Sequence, residues 1–198
     1  MTLNQWVGID YGAKLAGTSV VCLNSETGFR FFISPPKKDA DEFIHQVVAQ
    51  IKPKRIFLDA PLGLPIRYQT KTKNETDSYF YRKCDEETGA MSPLFLGGLT
   101  ARAIQLKDRL ENQNIAVFET YPGYLARLIE LGTFHYKKEL INIASCYHAM
   151  DSEYPKPELD QLINWHVFDS WLAWLSGWRY AQNSHLTFGE SAEGLIIV

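Results

Sequence analysis

The sequence predicts an α/β fold: a mixed five-stranded sheet, three antiparallel strands and then two parallel ones, flanked by helices. Three observations lead there. The first third of the chain holds short apolar or β-branched runs joined by glycine-bearing connections too short for a crossover, so neighbouring runs must pair antiparallel. From residue 39 onward, segments of helical periodicity alternate with buried apolar runs, the pattern of crossover connections and parallel strands. Three of the apolar runs end on an acid, Asp10, Asp59 and Glu119, each followed within three residues by Gly or Pro.

Taken in order, residues 5–10, about 18–23 and 29–33 read as the opening strands. Gly12 and Gly17 bracket the first connection, and "NSETG" is a turn with Gly28 at a positive-φ position. "DADEFIHQVVAQI" starts on a capping Asp39 and carries Phe43, Ile44, Val47, Val48 and Ile51 on one face, which predicts a helix. "RIFLD" is a buried strand stopped by "APLGLP". Residues 62–99 are the least regular stretch and read as an insertion within one domain spanning 1–198. A helix follows over 100–112, then the strand "IAVFETYP" and a helix to about Leu131. Residues 132–156 predict one helix with loops, and 157–181 one long helix. The closing "GLIIV" is a short strand or an extended tail.

Composition bounds the function classes. At 198 residues with 45% hydrophobic and 22% charged residues, the chain can bury the core of one globular domain. A net charge of −3 gives no whole-molecule attraction to nucleic acid, so such a substrate requires a local basic face. Cys22, Cys84 and Cys146 form no CxxC pair and read as reduced thiols. Neither a signal sequence nor a membrane span is indicated, so the expectation is a cytoplasmic protein.

The acids carry the chemistry. In an open α/β sheet the carboxyl ends of neighbouring strands form the functional edge, where Asp10, Asp59 and Glu119 converge if their strands are adjacent and parallel. A fourth acid, Asp169, lies in "NWHVFDSWLAWLSGW". There Trp165, Phe168, Leu172 and Leu175 form one apolar stripe, and Trp171, Trp174 and Trp178 a second, so this helix is buried. An unpaired buried carboxylate is costly by several kcal/mol or gives up its charge. Arg179 or His166 are candidate partners for Asp169 within the helix, whereas a bound cation would serve all four acids. Two carboxylates about 4 Å apart repel by roughly 4 kcal/mol at an effective dielectric of about 20. A set of hard oxygen ligands suits Mg²⁺ or Mn²⁺ rather than Zn²⁺. A pair of such ions about 3.5–4 Å apart can drive phosphodiester cleavage.

"GIDYGAKLAG", "FLDAPLGLP", "YRKCDEETG", "ETYPGYLARL", "HVFDSWLAW" and "AEGLIIV" together resemble the domain-of-unknown-function family 429, over essentially the whole chain. That family is described as predicted nucleases of ribonuclease H-like fold. The resemblance implies that Asp10, Asp59, Glu119 and Asp169 are the metal-binding and catalytic acids. It matches Arg82 and Asp85 to a further motif position, and Tyr136-Lys137 to the family's Tyr-Lys.

For each candidate a plainer role stands beside the functional one. Asp10 and Asp59 can be strand-end or turn acids, Glu119 a satisfied strand-end acid, and Arg82 with Asp85 a surface ion pair. Glu193 reads as a solvated tail residue. Gly12 would let backbone amides approach a phosphate, and Lys137 or Arg82 would steady one. Arg67, Lys71, Lys73, Arg82 and Lys83 in the irregular stretch supply local positive charge, and Tyr68, Tyr79, Phe80 and Tyr81 offer stacking faces; the alternative is a solvated loop over core aromatics. His45, His135, His148 and His185 show no metal spacing. The leading expectation is a metal-dependent phosphodiester hydrolase acting on nucleic acid or a nucleotide. An actin-like ATP-binding phosphotransfer domain and a non-catalytic scaffold are the alternatives. Carboxyl groups within about 4–6 Å of one another favour the first.

Overall fold

A computed structural model describes residues 5–69 and 77–198. The opening strands are β1 (Trp6–Asp10), β2 (Val20–Ser25) and β3 (Gly28–Ile33), followed by α1 (Ala40–Ile51) and β4 (Arg55–Asp59). The irregular stretch carries three short helices, α2 (Ile66–Gln69), α3 (Lys83–Thr88) and α4 (Pro93–Leu96). Then come α5 (Gly98–Glu111), β5 (Ala116–Glu119), α6 (Pro122–Leu128), α7 (Asn142–Ala149), α8 (Trp165–Ala181), β6 (Thr187–Glu190) and β7 (Gly194–Ile197).

The fold is α/β, on a seven-stranded mixed sheet ordered β3-β2-β1-β4-β5-β7-β6. The β3-β2-β1 part is antiparallel; β1, β4, β5 and β7 run parallel; β6 returns antiparallel to β7. The expected five strands are therefore present, and a β6–β7 hairpin extends the sheet by two. "GLIIV" is a paired strand, not a loose tail. The four residues of β6 are too few for alternation to stand out in sequence.

Local chemistry explains the element ends. Asp39 caps α1 by accepting from the amides of Asp41 and Glu42, and Lys52 closes it at φ 53°. The expected helix over 157–181 begins only at Trp165, because the Asn164 side chain takes the Val167 amide at 3.0 Å as an N-cap. Residues 159–161 form a separate 3-10 turn.

Two apolar clusters sandwich the sheet. One joins Ile44, Val47 and Val48 of α1 and Ala103, Leu106 and Leu110 of α5 to Val7, Ile9, Ile56 and Leu58. The other joins α8 to Trp6, Cys22 and Phe57. Alternation along each strand divides its side chains between them.

α8 lies against β1 with almost no spacing. A Cβ on Gly8 would stand 2.1 Å from the Trp174 amide nitrogen and 2.5 Å from the Ser170 carbonyl oxygen. A Cβ on Gly177 would stand 2.4 Å from the Trp6 ring. The Trp6 indole N–H donates to the Trp174 carbonyl at 3.1 Å, and the two rings stack with centroids 5.4 Å apart. Glycine is required at Gly8 by the backbone of α8 and at Gly177 by the Trp6 and Phe57 rings, rather than by a turn. Among the described residues no helix is long and apolar enough to cross a membrane.

Gly8→Ala forces α8 away from β1, and since the clash is with backbone it cannot be relieved by a rotamer. The expected loss of stability is about 3 kcal/mol or more, at the upper end of overpacking effects, measured by urea denaturation. A loss within experimental error would show that the helix can lift freely.

Candidate functional site

The site lies where β1 and β4 end and α8 begins. β1 and β4 pair in parallel register with Asp10 directly beside Asp59, so both carboxylates are in the same phase of the pleat. α8 crosses that face and brings Asp169 down to them. One carboxylate oxygen from each of Asp10, Asp59 and Asp169 can be chosen so that all three lie within 4.8 Å of one another.

Glu119 is not among them. It pairs with Leu58 rather than Asp59, one residue out of phase, and a one-residue offset turns a side chain to the other side of the pleat. Thr120 takes the phase of Asp59 and donates to Ser176 of α8 at 2.8 Å. The Glu119 carboxylate instead accepts from Arg82 at 2.7 and 2.6 Å and from the Leu62 amide at 2.8 Å. The expectation of four acids meeting at one point is corrected to three.

Arg82 and Asp85, expected as a substrate contact or a surface ion pair, form a buried ion pair, not a surface one. Arg82 is fully buried, and its guanidinium grips Asp85 at 3.0 and 2.6 Å as well as Glu119. Asp85 also accepts the Arg82 amide at 2.8 Å, which closes the first turn of α3. Burial works to lower the Arg82 pKa, but Glu119 and Asp85 overcome it and hold the group firmly cationic. Burial raises the Glu119 carboxyl above its usual range, against the pull of Arg82. Glu193, read as a solvated tail residue, is buried and accepts the amides of Ile66 at 2.6 Å and Lys83 at 2.7 Å. Gly12 is also engaged: its amide donates to Ser19 Oγ at 2.9 Å and its carbonyl accepts from Arg102 at 3.2 Å. It therefore does not present its amide to a phosphate.

The three-acid cluster has its own basic partners. Asp169 accepts from the Tyr136 hydroxyl on one oxygen and pairs with the Lys137 ammonium on the other. Neither partner is the within-helix residue expected; Arg179 bonds the Ser184 carbonyl at 2.9 Å, and His166 lies 2.9 Å from Asp10 Oδ2. Lys137 has φ 60° and follows His135, also at φ 60°, left-handed conformations disfavoured for residues with a Cβ. That backbone aims Tyr136 and Lys137 at Asp169. The sequence signals for this were the Tyr-Lys pair and the i, i+3 spacing of His166 and Asp169. Asp59 differs: among the described residues no hydrogen-bond donor or cation touches its carboxylate.

The electrostatics follow. Burial, then the charges of Asp10 and Asp169, push the Asp59 carboxyl well above its ordinary range. Burial raises Asp169 from 3.8 to about 6, moderated by Lys137. Burial would lower Lys137, but Asp169, with Asp59 and Asp10, raises it. The contact with Asp10 raises His166. Of the other basic residues, Arg67 sits over the Tyr79 ring at 4.5 Å and bonds its hydroxyl at 3.0 Å. Lys71 and Lys73 lie outside the described residues. Tyr68, Tyr79, Phe80 and Tyr81 are exposed, not core.

Compared with known proteins, the chain matches no family model, and neither a curated protein nor a solved structure matches it significantly.

Stability should carry the mark of this cluster. An acid whose folded pKa lies above its unfolded value binds a proton on folding, so its contribution is complete below the unfolded value and is lost as pH rises through the folded one. For Asp169 that window runs from 3.8 to about 6; the raised Asp59, and the raised His166 above 6.5, act in the same direction. In EDTA the protein is expected to be more stable at pH 5.5 than at pH 7.5, by on the order of 1–2 kcal/mol. Urea midpoints should show this, with a smaller difference in Asp59→Asn.

Proposed function

We propose that this chain is a divalent-metal-dependent phosphodiester hydrolase of ribonuclease H-like fold, with Asp10 and Asp59 as the acids that hold the cation. The single observation that carries the reading is the Asp10–Asp59–Asp169 cluster, whose ligand oxygens lie within 4.8 Å of one another at the carboxyl ends of adjacent parallel strands. The sheet order is in keeping with that fold, and the resemblance of the sequence motifs to predicted nucleases supports the same class.

The donor set fits the ion. It is all carboxylate oxygen, which suits Mg²⁺ or Mn²⁺, and burial, with Asp10 and Asp169 beside it, makes the charged form of Asp59 costly until a cation joins it. Asp169 already has a partner on each oxygen, and Glu119 is held by Arg82. One ion between Asp10 and Asp59 therefore fits better than the pair expected from four free acids. Bound there, such an ion supplies charge to a phosphate oxygen and makes water a stronger nucleophile.

The chain's own residues do the rest. His166 holds one Asp10 oxygen and leaves the other for the ion. Tyr136 and Lys137 fix Asp169, and the Lys137 side chain, about half exposed, presents its ammonium at the rim where a phosphate would arrive. It would neutralise substrate charge that the acids otherwise repel.

The test is Mn²⁺ calorimetry with hydrolysis of bis(p-nitrophenyl) phosphate. Wild type is expected to bind one ion; Asp10→Asn and Asp59→Asn each to weaken it tenfold or more and abolish turnover. Glu119→Gln should bind Mn²⁺ as wild type does while losing about 3–5 kcal/mol of stability, because it breaks a buried ion pair. Absence of binding at millimolar Mn²⁺ together with absence of metal-dependent turnover would overturn the reading.

A further inference from the structure

Beside the acid cluster, the strand ends enclose a cavity of about 280 Å³. Its floor is built from the first residues past three parallel strands: Tyr11 after β1, Ala60 and Pro61 after β4, Thr120 and Tyr121 after β5. Between β1 and β4 the strand order reverses direction, since β2 and β3 lie on one side and β4 and β5 on the other. Crevices outside the carboxyl ends at such a reversal are where open α/β sheets take their ligands. Asp59 forms part of the wall, so whatever fills the cavity lies next to the acids.

The wall chemistry narrows the ligand. Ala90, Met91, Leu96 and Leu99 make much of the wall apolar. Most of the polar wall groups are engaged within the fold: Tyr11 donates to Asp41 at 2.6 Å, Thr120 to Ser176 at 2.8 Å, and Glu119 is held by Arg82, which leaves Asp59 at the edge next to the acids. Such a site gains most from a flat, neutral, largely apolar group. The volume lies just below the range for small-molecule pockets, about 300–1,000 Å³, room for one ring system and not for a helix.

An independent feature adjoins it. α4, which supplies Leu96 to the wall, turns Phe95 outward at 63% exposure. Phe95 meets Phe80 at a centroid distance of 5.6 Å and Tyr81 at 6.0 Å, both exposed as well. Met91, another wall residue, is 59% exposed. Rings clustered in water beside a cavity offer stacking faces of the kind that single-stranded nucleic acid uses.

We propose that this cavity is a subsite for one unpaired nucleobase, with the Phe80–Tyr81–Phe95 rings stacking its neighbour, so that the protein engages single-stranded nucleic acid. The substrate class rests on the phosphodiesterase reading above: a base in the cavity places its phosphate at the rim formed by Asp59. A paired base cannot enter, since its partner would meet the wall. With Tyr11, Thr120, Arg82 and Glu119 already engaged, few wall groups are left to read base edges, and the subsite discriminates weakly between bases.

The experiment is fluorescence anisotropy with a fluorescein-labelled oligothymidylate in Ca²⁺, against the duplex of the same length, for wild type, Ala90→Phe and Phe95→Ala. Ala90→Phe fills the cavity; Phe95→Ala removes an exposed ring and leaves the core alone. The single strand is expected to bind more tightly than the duplex, with each variant weakening it roughly five- to hundredfold. Thymidine, which has no phosphate, should compete in wild type and not in Ala90→Phe. Mn²⁺ calorimetry on the same variants should be unchanged, which separates the subsite from the metal. Single-strand affinity within twofold of wild type in both variants, tighter duplex binding, or no oligonucleotide binding by wild type would overturn the proposal. Wild type that binds the oligonucleotide at the cavity but shows neither Mn²⁺ binding nor metal-dependent turnover would uphold the subsite and overturn the hydrolase reading.

Discussion

The close approach of α8 to β1 is the constraint on which the rest of the structure depends. The two run antiparallel and in step: Gly177 lies over Trp6, Ser170 and Trp174 over Gly8, and His166 beside Asp10. Going from residue 177 to 166 along a helix covers about 16 Å, and from 6 to 10 along a strand about 13 Å, so contact at one end carries through to the other. Two glycines at the crossing remove the side chains that would hold helix and strand apart. As a result Asp169, in the middle of an otherwise apolar helix, is delivered to Asp10 and Asp59.

That delivery creates an electrostatic problem that the protein meets in two different ways on the two sides of β4. Arg82, Asp85 and Glu119 form a closed, buried network in which one guanidinium serves two carboxylates bidentately. Every strong donor and acceptor there has a partner within the fold, so its role is to lock α3 to the end of β5. Asp10, Asp59 and Asp169 are left open. Their basic partners, His166 and Lys137, sit at the edge with about half of each side chain exposed, and no donor reaches Asp59 among the described residues. A charge deficit with access to solvent is one a ligand can fill.

Both networks contribute to the cavity wall, Asp59 from one and Arg82 and Glu119 from the other. The closed network thus acts as a rigid wall for the open one. Precision in a site built on strand ends comes from such support, since side chains locked by packing and ion pairs do not drift when a ligand binds.

Much of this was legible in the sequence. The strands, the Asp39 cap, the helix over α1 and the placement of acids after apolar runs all follow from periods of 2 and 3.6 and from short-range capping, which a local window contains. The closing strand β7 was visible as a β-branched run, whereas β6 was too short to alternate recognisably. The start of α8 was misplaced by several residues because Pro157 and the apolar run masked the Asn164 cap. What tertiary structure alone decided was which acids meet. Asp10, Asp59 and Glu119 look equivalent as strand-end acids, but Glu119 pairs with Leu58, and one residue of register is enough to send its carboxylate to Arg82. Likewise the partners of Asp169 come from a loop that precedes it by about thirty residues, not from its own helix. Register between strands, and contact between a loop and a helix, are set by the summed packing of the whole core, and no local pattern of residues encodes that sum.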